Sequence, residues 1–184
     1  MKSALILVAF LICAFNARAE ESLNELFYES WNTDYQPLTC SDNIIRLFKS
    51  LGKPKHSLVL HIFHKWVPHK PVLPQKPRLS SPYTMPVRWT FHAVLLVEDV
   101  VFDLDFKKTP TPLKIDDYFK AMWEAGALEN DYRFQLKSAK DYTLFDADGD
   151  MAGVEKLSYL KLTEFLLNQS QIEADLEFSK KLNF

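Results

Sequence analysis

The chain has 184 residues, of which 47% are hydrophobic and 25% charged, the size and composition of one folded domain. Its formal charge of -2, from 22 basic and 24 acidic residues, excludes a generally basic nucleic-acid binder. With 4 Gly against 10 Pro, no Gly-x-Gly-x-x-Gly or Gly-Lys-Ser/Thr run, and 2 Cys, the common nucleotide loops, a disulfide scaffold and a four-cysteine zinc site are not supported.

Met1-Lys2 is a short positive start, Ala4–Phe15 is an apolar run too short to span a bilayer, and Ala17-Arg18-Ala19 fits the small-x-small site of signal peptidase. A signal peptide over residues 1–19 is therefore expected, followed by a single domain over 20–184. Cys13 is disfavoured as a lipoprotein acceptor because Phe10, Leu11 and Ile12 put no small residue before it. No later segment reaches transmembrane length, so the expectation is an exported product, periplasmic or secreted, with no stable membrane insertion and a monomeric state. Cleavage leaves one cysteine, Cys40. An exported lone thiol is buried and inert, joined to another chain, or catalytic.

In chain order, Leu23, Leu26 and Phe27 mark one face of a helix over 22–31. Ser41-Asp42-Asn43 precede Ile44, Ile45, Leu47, Phe48 and Leu51, and Gly52 stands where a helix stops, which predicts a helix over 41–51. Ser57–Trp66 reads as a strand, and the six prolines between 68 and 86 as a long loop that acts as a lid or site wall. Val87–Val97 and Val100–Phe106 read as an antiparallel hairpin turning at Glu98-Asp99. Ile115–Ala125 predicts an amphipathic helix stopped by Gly126, Tyr132–Leu136 a strand, and Leu157–Leu167 a helix. The fold class expected is α+β in one domain.

Three features converge on chemistry. Cys40 stands at a helix start, where unpaired N–H groups and the positive end of the dipole favour thiolate over thiol. His92 lies in the strongest strand, and an imidazole beside a thiolate holds the proton and later protonates a leaving amine. The helix-start N–H groups, that of Cys40 included, suit an oxyanion. A two-residue turn at Glu98-Asp99 pairs Val97 with Val100, so Val94 faces Asp103 and His92 faces Asp105, all four on one face. Either aspartate suits the imidazole on this arithmetic. Against catalysis, each feature alone has an ordinary explanation: an inert buried Cys, a core His, a polar strand end.

The Cys-His-Asp order resembles the papain-like and transglutaminase-like superfamily, and within it three motifs are closer. Cys40-Ser41-Asp42-Asn43-Ile44 is similar to the Cys-Glu-Glu-Asn-Ile segment of protein N-terminal glutamine amidohydrolases. Trp89-Thr90-Phe91-His92-Ala93-Val94-Leu95-Leu96 resembles their Trp-Asp-Tyr-His-Val-Val-Leu-Leu, and Phe102-Asp103-Leu104-Asp105 their Tyr-Asp-Leu-Asp. Looser likeness runs through Arg133-Phe134, Phe145–Asp148 and Leu162–Phe165. The resemblance implies a papain-like fold, with a Cys-bearing helix packed on an antiparallel sheet that carries His and Asp. It implies a triad of Cys40, His92 and Asp103, no cofactor, and hydrolysis of a glutamine side-chain amide on a peptide or protein substrate. By the same route Asp42 becomes a candidate for holding a substrate α-ammonium group, its alternative being helix capping. Trp89 becomes a candidate channel wall, its alternative being core packing. Thr90 and Phe91 depart from the family's Asp and Tyr, and export departs from a cytosolic degradation role. Rival readings on the same triad are a protein-internal glutaminase, a transglutaminase or a cysteine peptidase, and from another class an exported binding protein with a relic triad.

Two further signals are set aside. His61-x-x-His64 has a metal-like spacing, but i and i+3 on a strand point to opposite faces. Asp146–Asp150 resembles a calcium loop, but Met151 and Leu157 stand where Gly and Glu are required.

Overall fold

The structure, a computed structural model, describes residues 22–33, 35–36, 39–64, 89–105, 110–123, 125–143, 151 and 153–169. The expected signal peptide, the proline-rich stretch 68–86 and the acidic run 146–150 lie outside the described residues.

Five antiparallel strands form one sheet: β1 (Ser57–His64), β2 (Phe91–Val97), β3 (Val100–Phe102), β4 (Leu113–Lys114) and β5 (Tyr132–Ser138), in the order β4-β3-β2-β1-β5. Helices are α1 (22–33), α2 (Cys40–Ser50), α3 (Ile115–Met122), α4 (Ala125–Asn130) and α5 (159–169). The chain is thus α+β, with helical residues against both sheet faces. On one face Phe27 of α1 and Ile44 and Leu47 of α2 share a core with Val59, Ala93, Leu95, Val97 and Phe102. On the other, Tyr118, Phe119 and Met122 of α3, Leu128 of α4 and Leu162 of α5 share one with Leu60, Ile62, Val94, Leu96, Val101 and Phe134. This double covering explains why β1 and β2 read as near-continuous apolar runs rather than as alternating ones: six of the seven residues of β2 are buried.

The hairpin register is the one the two-residue turn predicts, with Val97 opposite Val100 and Leu95 opposite Phe102. Glu98, in that turn, adopts φ 55°. β2 and β3 are shorter than expected, and β5 runs two residues longer, to Ser138. Pairing of β3 stops at Phe102, where Asp103 Oδ1 accepts the Asp105 N–H at 2.7 Å and turns the chain. β2 begins at Phe91, after an isolated bridge at Trp89. The helix expected over Ile115–Ala125 is two helices. It breaks at Trp123, which takes an extended conformation and buries its ring against Tyr118, Phe119 and Tyr132. Gly126 therefore sits inside α4 instead of ending α3. Leu157 bridges to Phe134 before α5 begins. β4, two residues long, carries no sequence signal of its own. Among the described residues, no helix is long and apolar enough to cross a membrane.

The stop of α2 follows its sequence. Gly52, at φ 75°, donates to Lys49 O, and Lys53 N–H reaches Phe48 O, the paired bonds of a left-handed helix terminus. A Cβ there would meet nothing within 4 Å, so the demand on glycine is conformational alone. Gly52→Ala is expected to lower stability by about 1 kcal/mol, read as a lower urea midpoint at unchanged slope.

Candidate active site

Cys40 is the first residue of α2, with Thr39 at the cap position. The Thr39 side chain makes no capping bond; its hydroxyl donates to Gln36 O at 3.0 Å instead. The first intrahelical bond runs from Asn43 N–H to Thr39 O. The N–H groups of Cys40, Ser41 and Asp42 therefore precede the helical ladder and carry the positive end of its dipole. Asn43 ties down the approach to the cysteine: its side-chain amide donates to Gln36 O and accepts from Gln36 N–H. The Cys40 thiol is free and half-buried.

His92 is completely buried on β2. Its Nε2 lies 2.8 Å from Asp103 Oδ2. The ring of Trp89 stacks on it at 4.0 Å between centroids and 22° between planes. Nδ1 is buried and makes no hydrogen bond of normal geometry among the described residues. Cys40 is the remaining group that acts on this ring. Burial on its own would drive the imidazole toward the neutral form. The Asp103 charge and hydrogen bond overcome that, with a smaller contribution from the sulfur of Cys40, and raise the pKa from 6.5 to about 10.

Asp103 is saturated with donors. Oδ2 accepts from His92 and from the Tyr118 hydroxyl at 2.8 Å, and Oδ1 accepts the Asp105 backbone N–H. The structure thereby separates the two aspartates that the strand arithmetic left equivalent. Asp105 does not pair across from His92, because β3 has already ended; its carboxylate accepts the Tyr35 hydroxyl instead. Neither Tyr118 nor Tyr35 stands among the site residues that the sequence suggests. Tyr118 falls on the apolar stripe of α3 and reads there as core, which its ring also is.

The end of β3 shapes this cluster in another way. His92 has the same strand parity as Val94 and Leu96, whose face packs on α3, whereas α2 packs on the opposite face through Ile44 and Leu47. β3 pairs with β2 only from Leu95 to Val97, so among the described residues His92 has a ladder partner on the β1 side, Ile62, and none on the β3 side; Cys40, at the N-terminus of α2, acts on its imidazole. A small void of about 10 Å3 there is lined by Cys40, Ala93, Phe102, Asp103 and Asp105, among others. A larger cleft, about 770 Å3, lies at the far end of the sheet beside Ser57, Glu98 and Ser138.

The other sequence candidates fall as follows. Asp42 sits in the first turn of α2, half-buried, and is neither the cap nor bonded to Cys40, His92 or Asp103. Its carboxylate complements the helix dipole. Trp89 is buried, at 4% exposure, and sheathes His92; core packing and shielding describe its place better than an open wall does. His61 and His64 separate as the strand period requires, His61 toward Phe91 and Tyr142 and His64 toward Tyr132. Among the described residues no group of three His, Cys, Asp or Glu could hold a metal ion.

No protein-family model matches this chain, and no curated protein matches it.

The raised pKa of His92 sets a sign. An imidazole that binds its proton more tightly when folded stabilises the fold below its unfolded pKa near 6.5, and that contribution is lost as pH rises toward about 10. Asp103→Asn removes it, so the decline in unfolding free energy over this range is expected to flatten. In the same variant only the smaller contribution of Cys40 opposes burial, and the His92 NMR titration is expected to fall well below about 10. An unmoved titration would refute the pairing.

Proposed function

We propose that this protein is an exported, cysteine-dependent amidohydrolase that converts a glutamine side-chain amide to glutamate and ammonia, acting on N-terminal glutamine of peptides or proteins. In this reading the papain-like arrangement is the Cys-bearing helix α2 set against the sheet that carries His92 and ends at Asp103. The observation that carries it is the divided imidazole: Asp103 occupies Nε2, Nδ1 is buried without a hydrogen-bond partner among the described residues, and Cys40 is near enough to act on the ring.

The chemistry follows from that division. Cys40 as thiolate attacks the carboxamide carbon, and the electron pair of the C=O moves to oxygen. The N–H groups that precede the ladder of α2 are the donors suited to that oxyanion. His92, protonated at Nδ1, gives its proton to the amide nitrogen as the C–N bond breaks and ammonia leaves. A γ-glutamyl thioester remains on Cys40. The neutral imidazole then takes a proton from water, hydroxide adds to the thioester, and glutamate departs as the thiolate re-forms. Asp103 holds the ring in one tautomer and one orientation throughout. Asp42 is the group assigned to the substrate α-ammonium, one turn into the same helix.

Cys40→Ala is expected to abolish ammonia release with an unchanged circular dichroism spectrum, and Asp103→Asn to slow it roughly 10²- to 10⁴-fold. The substrate is tested with two peptides, one beginning with Gln and one holding only internal Gln, read by mass spectrometry as a gain of about one dalton per conversion. Conversion of the first alone is expected. Conversion of internal Gln would move the protein to the protein-glutaminase reading, and amine incorporation or backbone cleavage to the transglutaminase or peptidase reading.

A further inference from the structure

A second buried histidine stands beside this cluster, and the chemistry above has no use for it. His61 lies in the middle of β1, opposite Ala93 of β2, completely buried. Its Nε2 is 2.7 Å from the Tyr142 hydroxyl, which in turn donates to Ser41 Oγ at 2.9 Å. A tyrosine hydroxyl has one proton, so with that proton directed to Ser41 the first bond is donated by His61 Nε2–H. On the imidazole ring itself, Phe91 stacks at 4.9 Å between centroids and 29° between planes. Both ends of the chain are thus covalent neighbours of the site: Ser41 follows Cys40, and Phe91 precedes His92.

Apolar packing of α2 through Ile44 and Leu47 is non-directional and tolerates small slides of the helix. Hydrogen bonds fix distance and direction, and a buried polar chain is costly unless its bonds are made. A thiol and imidazole that act as a pair require placement within a fraction of an ångström.

We propose that His61 and Tyr142 are positioning residues, a buried brace from the central strand to the first turn of α2 that sets the Cys40 thiol against His92. It rests on the thiol–imidazole pairing proposed above. Neither residue touches substrate in this scheme; both act through Ser41 and Phe91. Tyr142 reaches the brace from the loop after β5, whose start is pinned by the Ala139 N–H on Ser57 O.

The test is the rate of Cys40 alkylation by iodoacetamide from about pH 4 to about pH 9, together with the melting temperature. The parent is expected to show a rate plateau below neutrality, the mark of a thiolate paired with imidazolium. Among the described residues, the other titratable groups on the elements around that pair are Asp103 and Asp105 after β3, Tyr118 from α3, Tyr35 before α2, Asp42 on α2 itself and His61 on β1, and the variants leave all of them in place. Tyr142→Phe keeps the ring and removes the hydroxyl; Ser41→Ala breaks the other end of the brace without touching an aromatic. In both, the low-pH plateau is expected to fall roughly tenfold. A plateau within about twofold of the parent's in both variants, with only the melting temperature lowered, would show a structural role and overturn the brace. A parent that lacks the plateau altogether would overturn the Cys40–His92 pairing itself, and the brace with it.

Discussion

The burial of a charged pair, His92 with Asp103, is the constraint from which the surrounding structure follows. Removing two ions from water costs several kcal/mol each, and the mutual attraction offsets this only when the remaining lone pairs and protons are satisfied. On the Asp103 side every demand is met, by His92, the Tyr118 hydroxyl and the Asp105 N–H. Each donor comes from a different part of the chain: a central strand, a helix on one face and the turn that ends β3. On the His92 side the ring face is sheathed by Trp89 and one nitrogen is left over. The pair is therefore complete except at Nδ1, which is buried without a hydrogen-bond partner among the described residues.

The early end of β3 belongs to the same arrangement. Had the strand continued as its apolar and alternating residues invite, Asp105 would stand opposite His92 and the sheet edge would be closed. Asp103 instead uses one carboxylate oxygen to cap its own turn and the other for the imidazole. Beyond the turn β2 has, among the described residues, no ladder partner on the β3 side, and Cys40, at the start of a helix packed on one face, acts on a histidine that belongs to the other. Asp105, carried past the turn, fastens Tyr35 and with it the segment that leads into Cys40.

Much of this was legible in the residues. The two-residue turn at Glu98-Asp99 predicts the hairpin register, Gly52 marks the end of α2, and Cys40 stands at a helix start as its neighbours imply. The choice between Asp103 and Asp105 was not legible from alternation, because parity places both on one face and carries no information on where pairing stops. An aspartate that can hydrogen-bond the backbone two residues on is a turn signal competing with the strand signal, and here the turn wins. Tyr118 was hidden for a different reason. An amphipathic stripe reports which side chains are buried and not what their polar tips meet, so a tyrosine that packs through its ring and bonds through its hydroxyl reads as core. The break at Trp123 shows tertiary burial overriding a local signal: the indole is fixed between Tyr118 and Tyr132, and Gly126 follows into a new helix.

His92 and His61 are both fixed by the sheet. His92 is held by an ion pair on the α3 face of the sheet and His61 by a neutral hydroxyl chain on the α2 face. They sit on adjacent strands, with Ile62 opposite His92 and Ala93 opposite His61, so the sheet fixes their relative position to within the tolerance of its ladder. Cys40 acts on the first ring; the second, through Tyr142 and Ser41, ties to the helix turn that bears the cysteine. A thiol set by both is referred to a single rigid frame from two directions. In the proposed chemistry, that is what a nucleophile and its proton carrier require when they arrive on different elements from opposite sides of a sheet.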